Sequence, residues 1–438
     1  MASSPEARAP SGRNHLRSVE GARGLAALSI LTYHTAKLGN EHGFLEAATT
    51  RFWLGVPFFF VLSGFLLFRP FAHAAVHGRP WPSLSRYARA RVLRIVPAYW
   101  LVLTVSIFQL RFYFHLYPVA LAAAALVLWI SVFLTRPSML RSVAAIALTC
   151  GAVYALSRHP LHAAWPGFAN YLLVYIPFAQ WQGVVGTGWS LCIEISFYVF
   201  LPLLAFALAH YSSRAIGVHA RARRLLVMLS FLLPFGIVYL WINHPTTQSI
   251  WLPAYIDEFA VGMMLAVALE RWPHVSVRAS RTLLLVALAL ALVANTIYGV
   301  GPHADPYGNG SGVFFSRMMA VAFALILASI LMRDEQTAIG HVLSSRTLVA
   351  LGTISYGIYL WHFLIIQRLQ TTPLWGSEET NLVLVLALTL AVATTSWLVV
   401  ERPLLARKDD LRLFAHRRRR VRDAEPAVGG VPSVAEQT

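Results

Sequence analysis

Long apolar stretches follow one another along almost the whole chain, and that succession restricts the fold more than any other feature. In the 438 residues, apolar or mostly apolar stretches fall near 24–38, 52–69, 95–112, 117–134, 143–156, 188–209, 225–242, 250–269, 282–298, 313–332, 347–367 and 381–400. Crossing a bilayer core takes roughly 20 helical residues, and lipid tolerates only structures that satisfy their own backbone hydrogen bonds. The expected fold is therefore all-α, a polytopic membrane helix bundle of about 10–12 transmembrane helices. A further stretch, 168–181, is aromatic-rich but interrupted by Pro177 and reads as re-entrant or interfacial. With 57% hydrophobic and 13% charged residues, an ordinary soluble domain is excluded. The N-terminal tail is polar and the first apolar segment lacks a small-residue cleavage site, so no cleavable signal peptide is expected.

The formal net charge of +17 raises the question of nucleic acid, but its placement answers otherwise. With the N-terminus placed inside, loops on the cytoplasmic side hold 30 of the 36 Lys and Arg residues. That is the positive-inside asymmetry, and it predicts that both termini are cytoplasmic. No nucleic-acid partner follows from it. Cys150 and Cys192 both fall in apolar segments, which gives neither a disulfide framework nor a zinc site. The run Arg417-Arg418-Arg419-Arg420 belongs to a tail that either touches anionic lipid head groups or stays solvated.

Chemistry is expected where polar groups sit inside apolar stretches, because an ionisable residue there is costly and functional by default. His34 lies in the first such stretch, eleven residues after Arg23. Eleven helical steps return to within about 20° of the starting face, with about 16 Å of rise between the two. In the second, Ser63-Gly64 suits close helix approach better than nucleophilic work. Arg91 and Arg94 are three apart ahead of Pro97-Ala98-Tyr99-Trp100, so their guanidinium forks face one way. Such a pair suits either phosphate binding or plain anchoring at the membrane face. Glu194, within Gly188-Trp189-Ser190-Leu191-Cys192-Ile193-Glu194, needs an Arg, His or water partner or is protonated, and a structural interhelical pair is the alternative to a catalytic role. The same holds for Asp257 and Glu258, where a structural interhelical pair is the alternative to function. His362 closes the run Ser355-Tyr356-Gly357-Ile358-Tyr359-Leu360-Trp361 toward the outer face, where an interfacial role is as good a reading as a functional one. Histidines such as His73, His77, His159 and His162 read as solvent-facing loop residues. No HExxH, GxSxG, HxxxxD or suitably placed Gly-rich phosphate loop occurs.

Taken in order, these motifs make the chain resemble the acyltransferase 3 family of membrane acyltransferases, which includes O-antigen and exopolysaccharide O-acetylases and macrolide O-acyltransferases. The resemblance runs from Arg17 to about Arg402. It rests on Arg23-x10-His34, the Phe-Phe-Val-Leu-Ser-Gly-Phe run ending at Phe65, and Arg91-x-x-Arg94. Trp189-Ser190-Leu191 with Glu194, Phe197 and Tyr198 follows, then Ser355 to His362, and last Glu401-Arg402-Pro403. Glu20 stands where the family usually has Asp. The segments 117–134 and 143–156 look like a pair added to a family core of about ten spans.

The resemblance implies a membrane O-acyltransferase that moves an acyl group, acetyl as the first choice, from acyl-CoA to a hydroxyl of a glycan, glycolipid or macrolide-type small molecule. By the same resemblance Arg91 and Arg94 hold the phosphates of the donor, and His34 is general base or transient acyl carrier. Arg23 and Glu20 assist it; Trp189, Glu194, Tyr359 and His362 line the substrate site. No resident cofactor and no metal is implied, and the expected location is the plasma or inner membrane, among its lipids. Residues 1–16 read as a cytoplasmic tail, 17–402 as the membrane domain and 403–438 as a basic cytoplasmic tail, without the SGNH hydrolase-like domain of many polysaccharide-modifying members. A secondary transporter is the competing class, although no matching broken halves are seen. Among enzymes, a different membrane-bound O-acyltransferase family is the runner-up, with His362 as its only candidate.

Overall fold

The computed structural model describes residues 12–39, 44–49, 51–110, 123–127, 148, 151, 185–243, 250–298, 310–333 and 337–406. All regular structure among them is helical. In chain order the helices are α1 (Gly12–Lys37), α2 (Phe44–Thr49), α3 (Gly55–His77) and α4 (Leu84–Leu110). Next come α5 (Gly188–Ser212), α6 (Val218–Ser230), α7 (Leu232–Asn243) and α8 (Ile256–Arg271). The last group is α9 (Val277–Tyr298), α10 (Gly310–Leu331), α11 (Ala338–Leu343), α12 (Arg346–Thr353), α13 (Ser355–Leu369), α14 (Glu378–Ser396) and α15 (Arg402–Ala406).

Eight helices among the described residues are long and apolar enough to cross a membrane: 52–77, 84–107, 188–212, 218–243, 252–271, 277–297, 312–331 and 378–406. Each matches an expected stretch. The stretch at 347–367 is not one straight span: α12 and α13 meet at an angle of 67°. The stretch at 24–38 forms the second half of α1, whose first half carries Arg17, Glu20 and Arg23. The expected spans at 117–134 (beyond helical residues 123–127) and 143–156 (beyond 148 and 151), the stretch at 168–181, Cys150, His159, His162 and the tail beyond 406 lie outside the described residues.

Two close approaches organise the bundle. In α1, a Cβ on Gly21 would meet the carbonyl of Leu343, and one on Gly24 would meet Leu348 O and Gly352 N. A Cβ on Gly352 would in turn strike the Glu20 carbonyl, so α1 and α12 pack backbone against backbone. Ser18 Oγ pins the start of this contact by donating to Gly340 O at 3.0 Å. In the second, a Cβ on Gly64 of α3 would hit Phe259 O and one on Gly262 of α8 would hit Val61 O. The small-residue reading of Ser63-Gly64 is thus the packing that the structure contains. Phe60, Phe197 and Phe259 fill the space beside it, with ring centroids 4.8 Å apart for Phe60–Phe259 and 4.0 Å for Phe197–Phe259.

The acids Asp257 and Glu258 take the structural alternative. Arg317 of α10 donates from Nε to Asp257 Oδ2 at 2.8 Å and from Nη1 to Glu258 Oε1 at 3.1 Å. Its Nη2 reaches the carbonyl of Ala254, and Ser316 Oγ donates to Glu258. All three charged side chains are buried, so this ion cluster ties α8 to α10 in the core.

Candidate active site

The end of α1 carries the first half of the site. His34 and the buried His362 of α13 meet through His34 Nδ1 and His362 Nε2, 2.9 Å apart. Their rings lie nearly parallel, 18° apart, and Phe363 closes edge-on against His34 at 5.5 Å between centroids. On the far side, His362 Nδ1 is 3.0 Å from the carbonyl oxygen of Ile358, one turn back on its own helix. A carbonyl only accepts, so His362 Nδ1 carries a hydrogen. In the neutral ring its Nε2 is then a lone pair, which accepts the Nδ1–H of His34. The remaining lone pair of a neutral His34 is on Nε2. That nitrogen is placed to take a proton from a hydroxyl brought to it.

The bend between α12 and α13 explains why His362 is here. As the last residue of an outer-face span it would be interfacial, as the sequence alone suggests. The 67° turn starts a new helix at Ser355 and brings His362 alongside the C-terminal part of α1.

About three turns back along α1 lies the second half. Arg23, Arg94, Glu194, Tyr198, Tyr356 and Tyr359 line one cavity of about 60 Å³, together with Ser190 and apolar side chains of α3 and α4. Glu194 is held by Ser63, whose Oγ donates to its Oε1, and by the hydroxyl of Tyr198. Arg23 Nη1 is 3.5 Å from Glu20 Oε1, so the carboxylate at the unusual position still reaches its arginine. Arg94 lies within electrostatic range of both Arg23 and the buried Glu401. Tyr356 Oη donates to Ile95 O at 2.9 Å, fastening α13 to α4.

Two guanidinium groups around one cavity are suited to anionic oxygens, which several N–H donors can engage at once. Arg91 does not line this cavity; it acts electrostatically on Tyr87 and on the cavity residue Tyr198, and its Nε is buried with no hydrogen-bond partner among the described residues. Tyr359 connects the halves: it lines the cavity and its ring lies 5.9 Å from that of His362. Its hydroxyl reaches Thr187 O at 3.0 Å and shares a 2.6 Å hydrogen bond with Ser190 Oγ, which also reaches Thr187 O at 3.3 Å.

Of the residues singled out from sequence, Arg23, Arg94, Glu194 and Tyr359 therefore share a cavity, and His34 shares a hydrogen bond with His362. Glu20 does not line the cavity and is linked to it through its contact with Arg23. Trp189 sits instead against Tyr255, with ring centroids 5.9 Å apart, and does not line the cavity. Sequence reasoning gave no role to Ser63 toward Glu194 or to Glu401 toward Arg94. The signal for Glu401 was present, since it is an acid at the end of an apolar stretch. Ser63 gave none beyond its place beside Gly64.

The family model for the acyltransferase domain matches residues 16–401, which takes in every residue of both half-sites. The chain belongs to the acyltransferase 3 family. A candidate peptidoglycan O-acetyltransferase of Bacillus subtilis (strain 168) is 24% identical over 420 residues, covering 92% of this chain and 57% of the relative. A peptidoglycan O-acetyltransferase of Listeria monocytogenes is 24% identical over 406 residues, covering 90% and 56%. A candidate membrane-bound transacylase of Komagataeibacter xylinus is 23% identical over 391 residues, covering 89% and 83%. The chain thus spans little more than half the length of the first two of these relatives. No solved structure matches.

Proposed function

We propose that this chain is a multi-pass O-acyltransferase of the plasma or inner membrane, moving an acetyl or other acyl group from acyl-CoA to a hydroxyl of a cell-envelope glycan or glycolipid. The observation that carries the reading is the hydrogen-bonded chain from Ile358 O through His362 to His34, which leaves His34 Nε2 as a base. His34 Nε2 takes the proton of the acceptor hydroxyl as its oxygen attacks the thioester carbonyl. The C–S bond breaks, and the imidazolium returns the proton to the CoA sulfur. In the protonated state His34 keeps its bond to His362, so the positive charge that develops is shared with an acceptor already in place.

Arg91 and Arg94 take the phosphates of the donor, with Arg23 beside them. The roughly 16 Å of helix between Arg23 and His34 is spanned by the pantetheine arm. Glu194 balances the arginines when the donor is absent. The acceptor class is supported by the names of the Bacillus and Listeria relatives, both given for peptidoglycan. Mass spectrometry of surface glycans and glycolipids, with and without the intact gene, tests the reading as a whole. It should find one product class that loses an acyl increment when the gene is disrupted; identical spectra would contradict it.

A further inference from the structure

Away from these half-sites, three potential metal ligands converge where α3 and α8 end. His73 and His77 are not loop residues, as their sequence setting suggests, but occupy the last two turns of α3, four apart and on one face. Glu270 reaches them from the end of α8. Its Oε2 is 3.0 Å from His73 Nδ1 and 2.9 Å from His77 Nε2. All three donor atoms lie within 4.8 Å of one another.

We infer that His73, His77 and Glu270 form a binding site for a divalent transition-metal ion, with Zn2+ the best-fitting choice. Imidazole nitrogen and carboxylate oxygen are the donor set that zinc accepts, at about 2.0–2.2 Å. Tetrahedral bonds of that length put neighbouring donor atoms about 3.3 Å apart, close to the two imidazole–carboxylate separations seen here. The two imidazoles are partly exposed, with side-chain accessibilities of 54% and 30%, so a fourth position opens to water.

Charge supports the same reading. Among the described residues Glu270 pairs with no Lys or Arg; its ion-pair partners are the two histidines, which carry charge only when protonated. Arg271, its neighbour, turns away: its guanidinium lies over Trp272 at 4.6 Å and donates to His219 O at 3.2 Å. A divalent cation supplies the positive charge that this carboxylate lacks. It also locks the end of the α3–α8 pair, whose middle is held by the Gly64 and Gly262 contacts. The ion is thus a clamp on the helix that carries Ser63, at a distance from the acyl-transfer residues.

The test uses the full chain, purified without a polyhistidine tag, stripped with chelator and kept in detergent. Calorimetric titration with Zn2+ and visible absorption with Co2+ should both show one equivalent bound, the cobalt in a tetrahedral spectrum. His73→Gln, His77→Gln and Glu270→Gln should each weaken binding by more than about 100-fold, beyond the cost of losing an outer-shell partner. His341→Gln, an exposed histidine elsewhere, should bind as the native chain does. Zn2+ should raise the melting temperature of the native protein and of His341→Gln but not of the other three. Absence of stoichiometric binding, or equal binding by all four variants, would overturn the assignment and leave a hydrogen-bonded trio.

Discussion

At the scale of the residue, the decisive fact is which nitrogen of His34 is free. His34 and His362 are separated by 328 positions, yet their rings are 2.9 Å apart at Nδ1 and Nε2. The Ile358 carbonyl beyond them sets the direction of both hydrogens. A residue that orients a base has a recognisable signature when replaced. His362→Gln retains an amide oxygen able to accept from His34 Nδ1, whereas His362→Ala removes the acceptor. We expect His362→Ala to lower kcat by roughly 10²-fold or more, in the range of a lost acid–base contribution, with the KM for acyl-CoA little changed. His362→Gln should recover part of kcat. Equal losses in the two variants, or a loss confined to KM, would assign His362 to packing or binding. The His34 motif was legible in the sequence because an ionisable side chain in an apolar stretch is costly. Its partner was legible only as a second such histidine, since nothing local reports which helices will meet.

At the scale of the element, short helices and glycines do the positioning. Periodicity and apolar length foretell α3 to α10 well, because those helices are long and lipid-compatible. They do not foretell the 67° break at Ile354, because the sequence Gly352-Thr353-Ile354-Ser355 contains no proline to mark it. Gly352 allows the Glu20 carbonyl to come against α12. Gly352→Val would force the two backbones apart, at a cost of about 1–3 kcal/mol for overpacking. Thermal unfolding in detergent should register a lower midpoint, and activity should fall with it because α1 carries Arg23 and His34. An unchanged midpoint would mean that α1 and α12 are not held together as described.

At the scale of the whole molecule, two ionic arrangements have separate jobs. The Arg317 cluster with Asp257 and Glu258 is fully internal and joins α8 to α10. The Arg23, Arg94 and Glu194 group surrounds a cavity between α1, α4, α5 and α13. From sequence alone the two looked equivalent, each being an acid inside an apolar stretch. The family match over residues 16–401 agrees with the motif reading, while the lengths of the first two relatives leave their additional segments outside the comparison. The account as a whole stands on His34 as the group that activates the acceptor. Its most direct test is transfer of labelled acetyl from acetyl-CoA by the purified protein in lipid nanodiscs, with extracted envelope glycan as acceptor. Native protein and His34→Ala are compared after confirming equal insertion and equal melting temperature. The account predicts donor-dependent labelling by native protein and a decrease of about 10²- to 10⁴-fold for His34→Ala; equal labelling by the two would contradict it.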